Sequence, residues 1–112
     1  GLLRREEGEC SAAIRERVMA ARERQCRRYA GTPTRCNARC AGRDLRRCCA
    51  LTLPQERLLL DAVNQLGLSA RAFDRILRVA RTIADLAGRD ALADSDLFEA
   101  IQFRQFESGM AS

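Results

Sequence analysis

Between Phe73 and Ala87 the apolar residues Phe73, Ile76, Leu77, Ala80, Ile83, Ala84 and Ala87 recur at intervals of 3, 1, 3, 3, 1 and 3. That spacing gathers all seven on one stripe of an α-helix but scatters them over both faces of a strand. The segment can therefore be buried only as a helix pressed against other elements. Local punctuation agrees: Gly67 stops what precedes it, Ser69 stands where an N-cap belongs, and Gly88 ends the run. No alternating strand pattern and no internal repeat occurs elsewhere, so the sequence reads as all-α, a small bundle of about five helices.

The remaining helices follow from weaker versions of the same signals. From Ser11, an arginine- and glutamate-rich helix carries Ile14, Val18, Ala21 and Gln25 on one stripe and fades near Tyr29, where Gly31 and Pro33 break it. Residues 30–42 read as the least structured stretch. A short helix from Asp44 to Leu51 turns Leu45, Cys48 and Cys49 inward. Thr52 with Gln55 three residues on forms a capping box, with Pro54 in the first turn, and opens a helix that buries Leu59, Ala62, Val63 and Leu66. The last helix begins at Asp94, with Asp96 also in its first turn, and places Leu97, Phe98, Ile101 and Phe106 inward. The domain is thus expected over residues 10–107, with a flexible lead-in at 1–9 and a disordered tail at 108–112.

Composition limits the chemistry. There is no histidine and no lysine; all 20 basic residues are arginine. Nucleophile–histidine pairs and the lysine-bearing phosphate loop are therefore both excluded within the chain, and no calcium loop occurs. No catalytic residue is assigned, and the chain is not expected to be an enzyme by itself. Cys10, Cys26, Cys36, Cys40, Cys48 and Cys49 contain no pair with two residues between them, the C-x2-C spacing. They read better as small apolar residues in a reduced, cytoplasmic protein than as a metal or redox module, and no metal ligands are assigned. No apolar run is long enough to span a bilayer, so no membrane partner is expected. Residues 1–50 carry 13 arginines against 6 acids, whereas residues 51–112 carry 7 against 9. The basic first half suits an acidic partner, and an independent arginine-rich DNA-binding module is one reading of it.

One residue is out of place electrostatically. Arg71 falls in the first turn of the helix capped by Ser69, where unpaired N–H groups already make the terminus positive. A cation there is unfavourable unless an anion comes to meet it, so Arg71 is the leading candidate for a phosphate contact. Arg75 and Arg78, four and seven residues on, could support it from the same face, or could be surface charge balanced by Asp74 and Asp85. Arg81 and Asp85 are spaced for an intrahelical pair.

Ser69-Ala-Arg-Ala72, the run from Arg75 to Leu86, Gly8-Glu-Cys-Ser-Ala12, Arg15-Glu-Arg-Val18, Asn37-Ala38 and Gly42-Arg-Asp-Leu45 together resemble the C-terminal domain of the magnesium-chelatase-like AAA+ ATPases, the ComM/YifB competence group. The resemblance implies an AAA+ lid subdomain, a piece of a longer polypeptide whose nucleotide-binding core supplies ATP and Mg2+. It implies that Arg71 is a sensor-2 arginine reaching the terminal phosphate of ATP, with Ser69, Arg75 and Arg78 in support. It further implies that the core of the same polypeptide and neighbouring subunits of a hexameric ring are partners, and that the parent protein is a DNA branch-migration helicase in natural transformation. DNA is then a possible partner of the full-length protein.

Overall fold

The computed structural model describes the backbone of residues 2–34 and 36–111 and the side chains of residues 11–34 and 36–105. Five helices account for most of it: α1 (Leu2–Arg28), α2 (Gly42–Cys49), α3 (Leu53–Gln65), α4 (Ala70–Leu86) and α5 (Asp94–Ala111), with a single 3₁₀ turn at Asn37–Arg39 before α2. No strand occurs among the described residues, and none of their helices is long and apolar enough to cross a membrane. The fold is an all-α bundle. The expected Phe106, the side chains of the lead-in at 1–9 and those of the tail at 108–112 lie outside the described residues.

The helix with the strongest stripe is the hub: α4 packs against every other helix and against the 3₁₀ turn. Its buried residues are Ala72, Phe73, Ile76, Leu77, Ala80, Arg81, Ala84 and Asp85, which repeat at alternating intervals of one and three. Around it Tyr29, Cys40, Leu45, Cys49, Leu59, Val63, Leu92, Leu97, Ala100 and Ile101 close the core. Among the described cysteines, Cys40 and Cys49 are thus buried in apolar surroundings, while Cys26 is exposed. Burial pushes the Cys49 thiol up to about 12, so it is uncharged and packs as a small apolar group.

Boundaries are set by caps. Thr52 Oγ1 accepts from the Gln55 amide at 3.3 Å, and Gln55 Oε1 accepts from the Thr52 amide at 3.1 Å, closing the expected box. Gln55 also donates to the Leu92 carbonyl at 3.0 Å and to Asp94 Oδ1 at 3.1 Å, tying the start of α3 to the start of α5. Thr52→Ala is expected to cost about 1 kcal/mol of stability, read as a lower urea midpoint at unchanged slope. Beyond α3, Gly67 adopts φ +64°, and the Leu68 amide reaches back to the Val63 carbonyl at 2.9 Å. The same closure recurs after α4, with Gly88 at φ +76° and Arg89 bonded to Ala84 at 2.9 Å.

Several expectations need correction. The first helix starts at Leu2 rather than Ser11, and the short one spans Gly42–Cys49 rather than Asp44–Leu51. Ile14 is exposed because α1 becomes buried only from Ala21 onward. Leu66 is exposed because the chain turns outward at Gly67, and Leu68 packs on the core in its place. Phe98 is 52% exposed: Leu97, Ala100 and Ile101 already fill the inward stripe of α5, and Phe98 stands about 100° round the helix from Leu97. Ala87, the C-cap of α4, is likewise exposed.

Candidate functional site

Arg71 sits at the second position of α4, and its placement follows from the cap. Ser69 has extended backbone, its Oγ accepts from the Ala72 amide at 3.3 Å, and its carbonyl accepts from the Phe73 amide at 3.1 Å. No acid stands in the first turn of α4. The Arg71 side chain is exposed and makes no hydrogen bond or ion pair with the described residues. A guanidinium is thus fixed at the positive end of a helix without a countercharge, a placement suited to meeting an anion from outside the domain.

The other expected site residues separate into roles. Ser69 is the cap. Arg75 and Arg78 come together one and two turns further on, lining a groove of about 460 Å³ with Ala38, Val79, Thr82, Ile83 and Phe103. Arg71 is not part of that groove. Arg78 is half-buried and donates to the Cys40 carbonyl at 3.2 Å, so at least part of its function is to pin the 3₁₀ segment onto α4.

Asp85 does not lie on the surface, contrary to its reading as a balancing surface charge. Its side chain is fully buried and accepts from Arg28 through both oxygens, at 2.6 and 2.8 Å, and from Asn37 Nδ2 at 2.8 Å. Arg81, also buried, completes the expected i, i+4 pair at 3.1 Å. Its guanidinium further donates to the carbonyls of Cys48 (3.2 Å), Asp90 (2.7 Å) and Arg89 (2.8 Å), capping the end of α2 and holding the α4–α5 loop. Burial pushes the Asp85 carboxyl up. The hydrogen bonds from Arg28 and Asn37, with the charges of both arginines, outweigh it and hold the group below the usual carboxylate range. The same bond to Asp85 raises the Arg28 guanidinium further above its ordinary value. Asn37 completes the net: its Oδ1 accepts from the Tyr29 hydroxyl at 2.6 Å and from Arg28 at 3.1 Å, and its amide donates to Gln25 Oε1 at 2.9 Å. This network is architectural. It fixes α1 and the 3₁₀ turn against α4, and so fixes the frame in which Arg71 is presented.

Among the described residues no group of three or more potential metal ligands converges. The model of the family described as magnesium chelatase, subunit ChlI C-terminal, matches residues 8–104. The chain belongs to that family. Its relatives include the uncharacterized protein YifB of Salmonella typhimurium, 43% identical over 89% of this chain, and that of Escherichia coli, 40% identical over 89%. The competence protein ComM of Haemophilus influenzae is 43% identical over 87% of it. The chain spans 19%, 19% and 18% of the lengths of these three curated relatives. No solved structure gives a significant match. The domain match covers α4 from Arg71 to Asp85 and every residue of the buried network.

Proposed function

We propose that this chain is the lid-like C-terminal domain of a ComM-like AAA+ ATPase, and that Arg71 is its nucleotide-sensing arginine. The observation that carries the reading is an exposed guanidinium, unpaired among the described residues, at a capped helix start with no acid in the first turn, inside a domain of the magnesium chelatase C-terminal family. In that role Arg71 donates to the terminal phosphate of an Mg2+-bound ATP held by another part of the polypeptide. Ser69 sets the helix start that aims it, and Arg75 and Arg78 extend positive charge along α4. Because α4 packs on every other helix, a pull on Arg71 moves the domain as a body, which couples hydrolysis to motion against the core and neighbouring ring subunits. On this reading the parent protein works in the cytoplasm as a DNA branch-migration motor; the Haemophilus influenzae relative is named a competence protein.

Arg71→Ala is expected to leave the unfolding midpoint of the domain unchanged, since the side chain is exposed and unpaired. In the full-length protein it is expected to lower ATP turnover about 10- to 100-fold, the value of one charge-assisted hydrogen bond. Normal turnover would reject the reading. A second reading rests on the exposed arginines Arg15, Arg17, Arg22 and Arg27 of α1 with Arg39, Arg43, Arg46 and Arg47 beside and along α2. Tight, steeply salt-dependent binding of duplex or forked DNA by the isolated chain would favour a self-sufficient DNA-binding module instead.

A further inference from the structure

The C-terminal end of α1 brings three arginines to one cleft of about 470 Å³, lined by Arg24, Arg27, Arg28 and Asp90. Each is held differently. Arg24 donates to the Gly88 carbonyl at 2.9 Å and to Asp90 Oδ1 at 2.5 Å, which takes two of its five N–H groups. Arg28 is anchored from behind by Asp85 and Asn37, which take three. Arg27 is exposed and makes no hydrogen bond or ion pair with the described residues, not even with Glu23 one turn before it. All three guanidiniums therefore keep donors to spare. Two of them are already ordered by protein acceptors, so little side-chain freedom is lost when an anion arrives. The lining carboxylate does not close the cleft. Asp90 is 97% exposed, and so open an ion pair is weak and readily exchanged.

We infer that this cleft is a binding site for a phosphate monoester. Charge and oxygen count select that ligand. Among the described residues three guanidiniums line the cleft against one carboxylate, and Asp85 behind Arg28 is offset by Arg81. The surplus is about two positive charges, lowered to roughly 1.5 by the negative end of α1. A phosphate monoester at neutral pH carries about −1.5 to −2. It also presents three terminal oxygens, one for each guanidinium, where a carboxylate or a phosphodiester presents two. Binding is an exchange: a phosphate oxygen replaces Asp90 on Arg24, while the Gly88 carbonyl keeps that guanidinium in place. Arg71 is not among the lining residues, so the inference stands or falls apart from its proposed role. The monoester can come from a small free phosphate or from the phosphorylated end of a nucleic-acid strand.

Titration of the full chain with inorganic phosphate, followed through its backbone amide NMR signals, tests the site. Saturable shifts are expected at residues 24–28 and 88–90. Arg27→Ala is expected to weaken binding about tenfold, the value of one charge-assisted hydrogen bond, at an unchanged unfolding midpoint. Asp90→Asn is expected to tighten it about threefold, because the competing carboxylate is gone. Arg47→Ala removes an equally exposed arginine from α2, outside the cleft, and should leave binding as it was. Dimethyl phosphate, with one charge and two free oxygens, should bind about tenfold more weakly than inorganic phosphate. A 5′-phosphorylated dinucleotide identifies the source: tighter binding than inorganic phosphate points to strand ends, equal binding to a free phosphate, and either supports the site. Equal affinity for the 5′-hydroxyl dinucleotide or for dimethyl phosphate would overturn it. So would equal losses from Arg47→Ala and Arg27→Ala, weaker binding by Asp90→Asn, or shifts without saturation, since each marks diffuse attraction to a basic surface.

Discussion

Asp85→Ala is expected to remove about 3–5 kcal/mol of stability, enough to unfold much of a domain of this size at room temperature. Asp85 is shared by two guanidiniums, Arg28 and Arg81, and its side chain is wholly out of water. Truncation leaves both cations in place without their countercharge. Arg28 could move partly toward solvent, but Arg81 cannot, being held by the carbonyls of Cys48, Arg89 and Asp90 with its Nε already unpaired. Asp85→Asn keeps the shape and one acceptor, so it should cost less. The pH dependence gives the check on mechanism. The folded-state pKa of Asp85 is depressed, so in acid the unfolded chain binds the proton more readily than the native one. The stability from this group is complete above the unfolded carboxylate value of about 3.9 and is lost as pH falls through it toward the folded value. Urea titrations of wild type and Asp85→Ala should therefore differ widely at pH 7 and converge in acid. A constant gap would mean that lost packing, not lost charge, explains the effect.

Why the network escaped the sequence is instructive. The apolar stripe of α4 was legible because hydrophobic spacing reports burial directly, and the caps at Thr52 and Ser69 were legible because capping is local. Arg81 and Asp85 continue the buried rows in register, one place after Ala80 and Ala84. That register was a usable signal, but charged residues at such positions are exposed unless partners reach them, and those partners lie far along the chain. Arg28 is 57 residues from Asp85, and Asn37 is 48. Asn37 sits in a segment that turn residues mark as irregular, where nothing local announces a buried amide. Phe98 erred for the opposite reason. Hydrophobicity alone suggested an inward side chain, but the position of Leu97 fixes the rotation of α5 and leaves its neighbour outside. Arg71 lay between these cases: its misfit with the helix dipole was visible from sequence, and the structure places it on an exposed terminus without a partner among the described residues.

Ile76→Ala is the second large effect, at about 3–5 kcal/mol, and it should exceed Leu77→Ala, at about 2–3 kcal/mol. Both side chains are fully buried on α4 and lose comparable apolar surface on truncation. The sites differ in what surrounds them. Leu77 forms part of the wall of a groove beside Cys49 and Phe73, so its removal enlarges a space already open to solvent and leaves neighbours free to settle into it. Ile76 borders none of the grooves described above, so the space it vacates is enclosed by a hub that packs on every other helix and cannot collapse toward one without leaving another. The cavity term is therefore largest at Ile76. Urea denaturation should show lower midpoints for both variants at unchanged slope, with Ile76→Val costing only about 0.5–1.5 kcal/mol as the graded control. The reverse order would mean that the groove is closed in solution, and that the face carrying Phe73 and Leu77 packs more tightly than its open geometry indicates.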